Sequence, residues 1–201
     1  KSRRHMKTVT YRGVLSGDKP MKSLMASKSN RAGRNNAGRI TVRHQGGGHK
    51  RRLRDVDFKY DKKNIPARVE TIEYDPYRTG FIARVVFADG ERRYVLAPKE
   101  MKVGDSFQVS ESAPLKTGNR LPLGKIPSGT FIYNIEIQPG AGARLARSAG
   151  NYAEVVAHDA GYAQVKMPST EIRKISELAW ASIGSVSNEE QRLQNYGKAG
   201  K

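Results

Sequence analysis

Residues 1–54 hold 16 Lys and Arg but a single acid, Asp18, whereas residues 55–201 hold 21 Lys and Arg and 18 acids. The front quarter therefore carries +15 of the chain's net +18. Cations at that density repel one another and attract polyanions. The same stretch is rich in Gly, Ser and Asn and poor in large apolar residues, so it cannot bury enough surface to offset its chain entropy. The sequence reads as a basic arm joined to a nearly neutral body. In isolation the arm is expected to have little stable structure beyond a short strand near Val9–Leu15.

Several classes drop out early. There is no cysteine, which removes disulfides and thiolate metal sites. No run of 18 apolar residues is present, and no signal-peptide pattern opens the sequence. Nucleic acid is the first candidate partner for the charge, and an anionic membrane surface the second.

The body changes texture to short strands. "IPARVETIEYD" (Ile65–Asp75) ends at the turn "DPYRTG". "FIARVVF" puts Phe81, Ala83, Val85 and Phe87 on one face; Asp89-Gly90 signals a hairpin, with "RRYVLAP" returning and "SFQVS" after it. About five such strands in roughly 55 residues predict a small barrel. "TGNRLPLGKIPSG" (Thr117–Gly129) reads as a linker or long loop. A second set follows, in which Phe131, Tyr133, Ile135 and Ile137 share one side and Ala160-Gly161 turns a hairpin. Near the end, Ser187 as N-cap, Glu190 as its capping-box partner and Gly197 as a stop predict a short helix. Tyr74, Phe81 and Phe87 are expected in the core. Two tandem barrels of about 60 residues each have marginal cores, so a partner surface is expected to contribute to their stability.

Glycine beside dense positive charge is the chemical signature to explain. "TVRHQGGGHKRRLR" lacks the Ser/Thr and spacing of a nucleotide P-loop, and "GAGARLARSAG" has Leu145 where a dinucleotide fingerprint needs glycine. His44 and His49 have no nearby Cys or carboxylate to complete a zinc site. His158-Asp159 has no Gly-x-Ser-x-Gly partner and reads as a turn. A polyanion fits better. Gly46, Gly47 and Gly48 let backbone N–H groups approach phosphates, and Arg43, Arg51, Arg52 and Arg54 supply planar forks. "SKSNRAGRNNAGR" repeats the recipe with Arg31, Arg34 and Arg39. In the body, Arg78 beside Tyr77, and Arg144 and Arg147 in a Gly-rich loop, add candidates. RNA is favoured over duplex DNA because no recognition helix is visible. An RNA-acting enzyme and a module binding acidic proteins are the alternatives.

"RNNAGRITVRHQGGGHKRRLRDVDF", "IEYDPYRTGFIA", "DGERRYVLAPK" and "ARSAG" together resemble the universal large-subunit ribosomal protein two family, bacterial and organellar type, from about Thr8 to Lys201. The resemblance implies a mainly β fold: an extended basic rRNA-binding arm (1–58), an OB-like five-stranded barrel (59–118), an SH3-like barrel (119–187), and a short helix opening a C-terminal extension (188–201). Family members continue past "GKAG" into a glycine-rich basic tail with a histidine, which this sequence does not contain. The resemblance also implies a structural constituent of the large ribosomal subunit. In that role it is a primary rRNA binder supporting assembly of the peptidyl-transferase region and subunit association, with no enzymatic activity. The partners implied are large-subunit rRNA, neighbouring ribosomal proteins and the small subunit, with no membrane and no homo-oligomer. No cofactor is implied, since structural Mg2+ belongs to the RNA. The expected setting is the ribosome, in bacterial cytoplasm or an organelle matrix. Arg78 and Arg147 match family RNA contacts, and the glycine-histidine block maps to Arg43, His44, Gly46, Gly47, Gly48, His49 and Lys50.

Overall fold

The computed structural model describes residues 6–28, 30–46 and 48–197. Two antiparallel sheets make the body. The first has β3 (Ala67–Glu73), β4 (Ile82–Phe87), β5 (Arg92–Leu96) and β6 (Ser106–Phe107), in the order β5-β4-β3-β6. Single parallel bridges at Val56–Tyr94 and Val109–Arg120 extend it. The second has six strands: β7 (Arg120–Pro122), β8 (Phe131–Tyr133), β11 (Ala153–Asp159), β12 (Tyr162–Lys166), β13 (Ile172–Ser176) and β14 (Trp180–Ile183), in the order β13-β12-β11-β8-β14-β7. A short ladder joins β9 (Ile135–Glu136) to β10 (Ala143–Leu145). In the arm, β1 (Met25–Ser27) pairs antiparallel with β2 (Arg52–Arg54). This mainly β architecture agrees with the barrel expectation.

Alternation builds both cores. Phe81, Ala83, Val85 and Phe87 all face inward with Val69 and Ile72. Leu121, Ile132, Ile135, Val155, Val165 and Ile183 fill the second core. The two are not independent. Trp180 of β14 packs into the first core, and Leu96, Tyr133 and Val186 form a joint between the sheets. A buried polar network reinforces that joint. Arg120 donates to a Glu136 carboxylate oxygen at 3.0 Å and to the Asn134 carbonyl at 2.6 Å, and its guanidinium lies 4.6 Å from the Tyr60 ring centre. Burial pushes the Tyr60 phenol up to about 12.

Four expectations are corrected. Val9–Leu15 is not a strand: Val14 and Leu15 N–H groups both donate to the Tyr11 carbonyl, closing a turn. Tyr11 anchors it, edge-on to Phe81 at 5.2 Å and donating its hydroxyl to Gln191. Tyr74 is 47% exposed and stacks on Tyr11 at 6.1 Å. Phe131 and Ile137 point outward while Ile132, Tyr133 and Ile135 are buried: Ile132 enters the second core, Tyr133 enters the joint between the sheets, and Asn134, with a left-handed φ of 55°, separates β8 from β9. The C-terminal helix is a 3-10 turn, Glu189–Leu193, and its N-cap is Asn188 in a left-handed conformation. Ser187 does not cap it; its hydroxyl oxygen instead accepts the Phe81 N–H at 3.1 Å.

Candidate nucleic-acid interface

The arm closes on itself through backbone hydrogen bonds. Asn35 and Arg39 exchange a tight pair: the Asn35 N–H donates to the Arg39 carbonyl and the Asn35 amide oxygen accepts the Arg39 N–H, both at 2.9 Å. Thr41 and Val42 N–H groups donate to the Gly33 carbonyl at 3.0 and 3.1 Å. Gly33 has φ +73°, and a Cβ there would sit 2.1 Å from the Val42 carbonyl oxygen. Only glycine fits that crossing. The loops so formed hold Arg31, Arg34, Arg39, Arg43 and His44 in solvent. In the glycine block, Gly46 has φ +120° and packs on Ala32, while Gly48 faces open space. Gly47 lies outside the described residues.

Beyond the loops, Gly48, His49, Lys50, Arg51 and Arg52 line a groove of about 870 Å³ with Lys22, Lys28 and Tyr77. Tyr77 ties the arm to the body. The Arg51 guanidinium stacks 4.6 Å from its ring centre and donates to the Pro76 carbonyl at 3.2 Å; Lys28 lies 5.6 Å from the same ring. Arg54 is half-buried on β2 and donates to the Arg52 carbonyl.

The next pair comes from opposite sheets. Arg78 ends the turn after β3, and Arg147 follows β10. Both guanidinia converge on one ring, Phe58, at 5.1 and 4.5 Å from its centre. The buried Asp75 carboxylate shapes the turn, accepting the Tyr77 N–H at 2.9 Å and the Arg78 side chain at 3.0 Å. The two loops are stitched together: the Ala149 N–H donates to the Thr79 hydroxyl at 3.0 Å, and the Asn188 amide donates to the Thr79 carbonyl at 2.6 Å. Burial, with Arg147 as a second cation alongside, pulls the Arg78 guanidinium below its ordinary value against the opposing pull of Asp75. That repulsion is relieved by an anion placed between them. Arg144 is exposed on β10 and joins neither ring. No hydrogen bond, ion pair or ring contact connects Arg31, Arg34 or Arg39 to the Phe58 pair among the described residues.

Across residues 6–54, no described cation makes an ion pair with a carboxylate. A row of cations interleaved with Tyr77 and Phe58 can take phosphates along its length and bases on its rings. Among the described residues no group of three or more His, Asp or Glu could hold a metal ion. His158 is structural in its contacts: one ring nitrogen meets the Ile126 carbonyl at 2.8 Å and the other meets Glu177 at 3.0 Å. The sequence had not singled out Phe58 or Lys28. Phe58 follows directly on the basic block, but nothing local reveals that two distant arginines share its ring.

Comparison with known proteins agrees along most of the chain. The model for Ribosomal Proteins L2, RNA binding N-terminal domain, matches residues 21–109, and that for the L2 C-terminal domain matches residues 116–201. Large ribosomal subunit protein uL2 of Shewanella sp. (strain ANA-3) is 51% identical over 198 residues, covering 98% of this chain and 72% of the relative. The uL2 proteins of Shewanella oneidensis and Shewanella baltica (strain OS155) give the same figures.

Proposed function

This chain belongs to the Ribosomal Proteins L2 family, and from that premise we propose that the basic arm and the Phe58 arginine pair form one continuous rRNA-binding face. The protein is a structural, non-enzymatic constituent of the large ribosomal subunit. On this reading Arg31, Arg34, Arg39, Arg43, Lys50, Arg51, Arg52 and Arg54 neutralise phosphates, while the backbone at Gly46–Gly48 lets the strand approach. Arg78 and Arg147 clamp a single phosphate from two sides. His44, His49 and Arg144 contact sugar or phosphate at the edges. The segments 1–58, 59–118, 119–187 and 188–201 act as arm, two barrels and the root of an extension. The finer role is support of the peptidyl-transferase region and of subunit association, in the ribosomes of a bacterium or an organelle.

The observation that carries this reading is the lack of any internal carboxylate partner for the arm's described cations. A salt titration of rRNA binding tests it. If about ten phosphates are neutralised, log K falls with log salt at a slope of roughly −7 to −9. Arg147→Ala lowers affinity and makes the slope shallower by about one, with unchanged circular dichroism. A slope near zero removes the proposal, and unchanged affinity in the Arg147 variant removes that residue from it.

A further inference from the structure

Phe131 and Tyr152 are 50% and 46% exposed, with ring centres 4.7 Å apart and planes inclined at 58°. They form an open corner at the start of β8 and just before β11. Phe131 opens β8 and is exposed while Ile132 and Tyr133 behind it are buried. The corner borders a recess of about 420 Å³ whose rim carries Lys166, Arg192 and Glu154. Glu154 lies directly across from Lys166 in the β11–β12 register. Neither makes an ion pair, nor does Arg192, among the described residues.

We propose that this corner is a further RNA contact that captures one unpaired nucleotide and prefers a base with an exocyclic amine. The inference rests on the rRNA-binding reading above and adds a site to it. A flat base lies on one ring with its edge against the other, the offset geometry aromatic groups favour. Lys166 and Arg192 take the flanking phosphates. The Glu154 carboxylate only accepts hydrogen bonds, so it suits the amine of cytosine and repels the carbonyl that uracil presents at the same place. A lone basic patch offers no such discrimination. A membrane surface is disfavoured, because Glu154 stands amid the cations that an anionic lipid would need.

The test uses the full 201-residue chain with single-stranded oligocytidylate and oligouridylate of about eight nucleotides. Wild type is expected to bind the cytidylate about fivefold more tightly. F131A/Y152A loses about 10- to 100-fold in affinity for it with the salt slope unchanged, since no cation is removed. F131Y and Y152F bind as wild type, which separates loss of the rings from loss of the fold. E154Q brings the ratio of the two affinities towards one. Arg147→Ala, in contrast, makes the slope shallower and keeps the cytidylate preference. If F131A/Y152A binds as wild type while Arg147→Ala is weakened, the corner is not a nucleotide site and the main face stands. If the wild-type chain shows no salt-dependent RNA binding at all, both proposals fall together.

Discussion

The arm and the body use the same two cationic residues in opposite ways. In the first barrel, Arg93 meets the carboxylates of Asp57, Asp61 and Glu91, and Lys62 meets Asp89 and Glu91. Arg84 and Arg92 share Glu70. Deeper still, Arg120 and Glu136 are 1% and 3% exposed at their side chains, and pair at 3.0 Å. In the arm, the described cations meet no carboxylate, and the most constrained, Arg51, is held by an aromatic face and a backbone carbonyl. What decides a cation's role is whether the chain supplies an anion within reach. Where it does, as in the first barrel, the charge belongs to the fold; where it does not, as in the arm, the charge is left for phosphate. Arg78 stands between the two cases: it pairs with Asp75 but shares one ring with Arg147, which makes no ion pair among the described residues.

The sharpest test of that contrast exchanges the two kinds of loss. Arg120→Ala leaves the Glu136 carboxylate buried with, among the described residues, the Gly140 and Trp180 N–H groups as its donors. Stability should fall by about 3–5 kcal/mol in urea unfolding, because the network joins both sheets. Arg51→Gln with Arg52→Gln should stay within about 0.5 kcal/mol of wild type and make the salt slope of RNA binding shallower by about one to two. Comparable unfolding losses in the two variants would dissolve the distinction between structural and partner-directed charge.

The division between arm and body was legible because charge is additive along a sequence. The cores were legible where alternation is unbroken, as in Phe81–Phe87. Alternation misled at Phe131, because both faces of β8 are covered beyond it: Ile132 enters the second core and Tyr133 the joint between the sheets, which leaves only the first residue of the strand in solvent. The arginine pair at Phe58 was half legible. Turn and glycine signals marked Arg78 and Arg147 separately, but their convergence depends on how two sheets pack, which no local pattern encodes. Likewise, the triple glycine drew attention away from Gly33, whose need is set by Val42, nine residues further on.

That position sharpens the comparison within the arm itself. Gly33→Ala must place a methyl group against the Val42 carbonyl oxygen in an unfavourable backbone region. The local cost is on the order of 1–3 kcal/mol, and it falls on a loop that contributes nothing to either barrel core. RNA affinity should therefore drop while the urea midpoint of the barrels holds. Gly48→Ala meets nothing within 4 Å in the free chain, so it should leave the urea midpoint and the loop's amide exchange as in wild type, and lower RNA affinity only through the closer approach the bound strand needs. Amide exchange at Thr41 and Val42, whose N–H groups donate to Gly33, reports whether the loop has opened.

The smallest effect concerns the body's exposed charges. The hydrogen bond from Arg93 holds Asp61 below its ordinary value; Lys62 does the same for Asp89, and Arg93 then Lys62 for Glu91. A carboxylate depressed in the folded state binds fewer protons there than in the unfolded chain. Its stabilising contribution is thus complete above the ordinary carboxylate range and is lost as pH falls through the folded value. All three face solvent, so each contribution is screened and small. The urea midpoint should decline between about pH 6 and about pH 3, and Lys62→Gln with Arg93→Gln should flatten that decline. The arm gives the reference for this measurement: neutralising Arg51 and Arg52, which hold no carboxylate, should leave the acid profile as it is in wild type. An arm variant that flattened the profile as much would mean those cations do sense the body's carboxylates, and their availability to RNA would no longer follow.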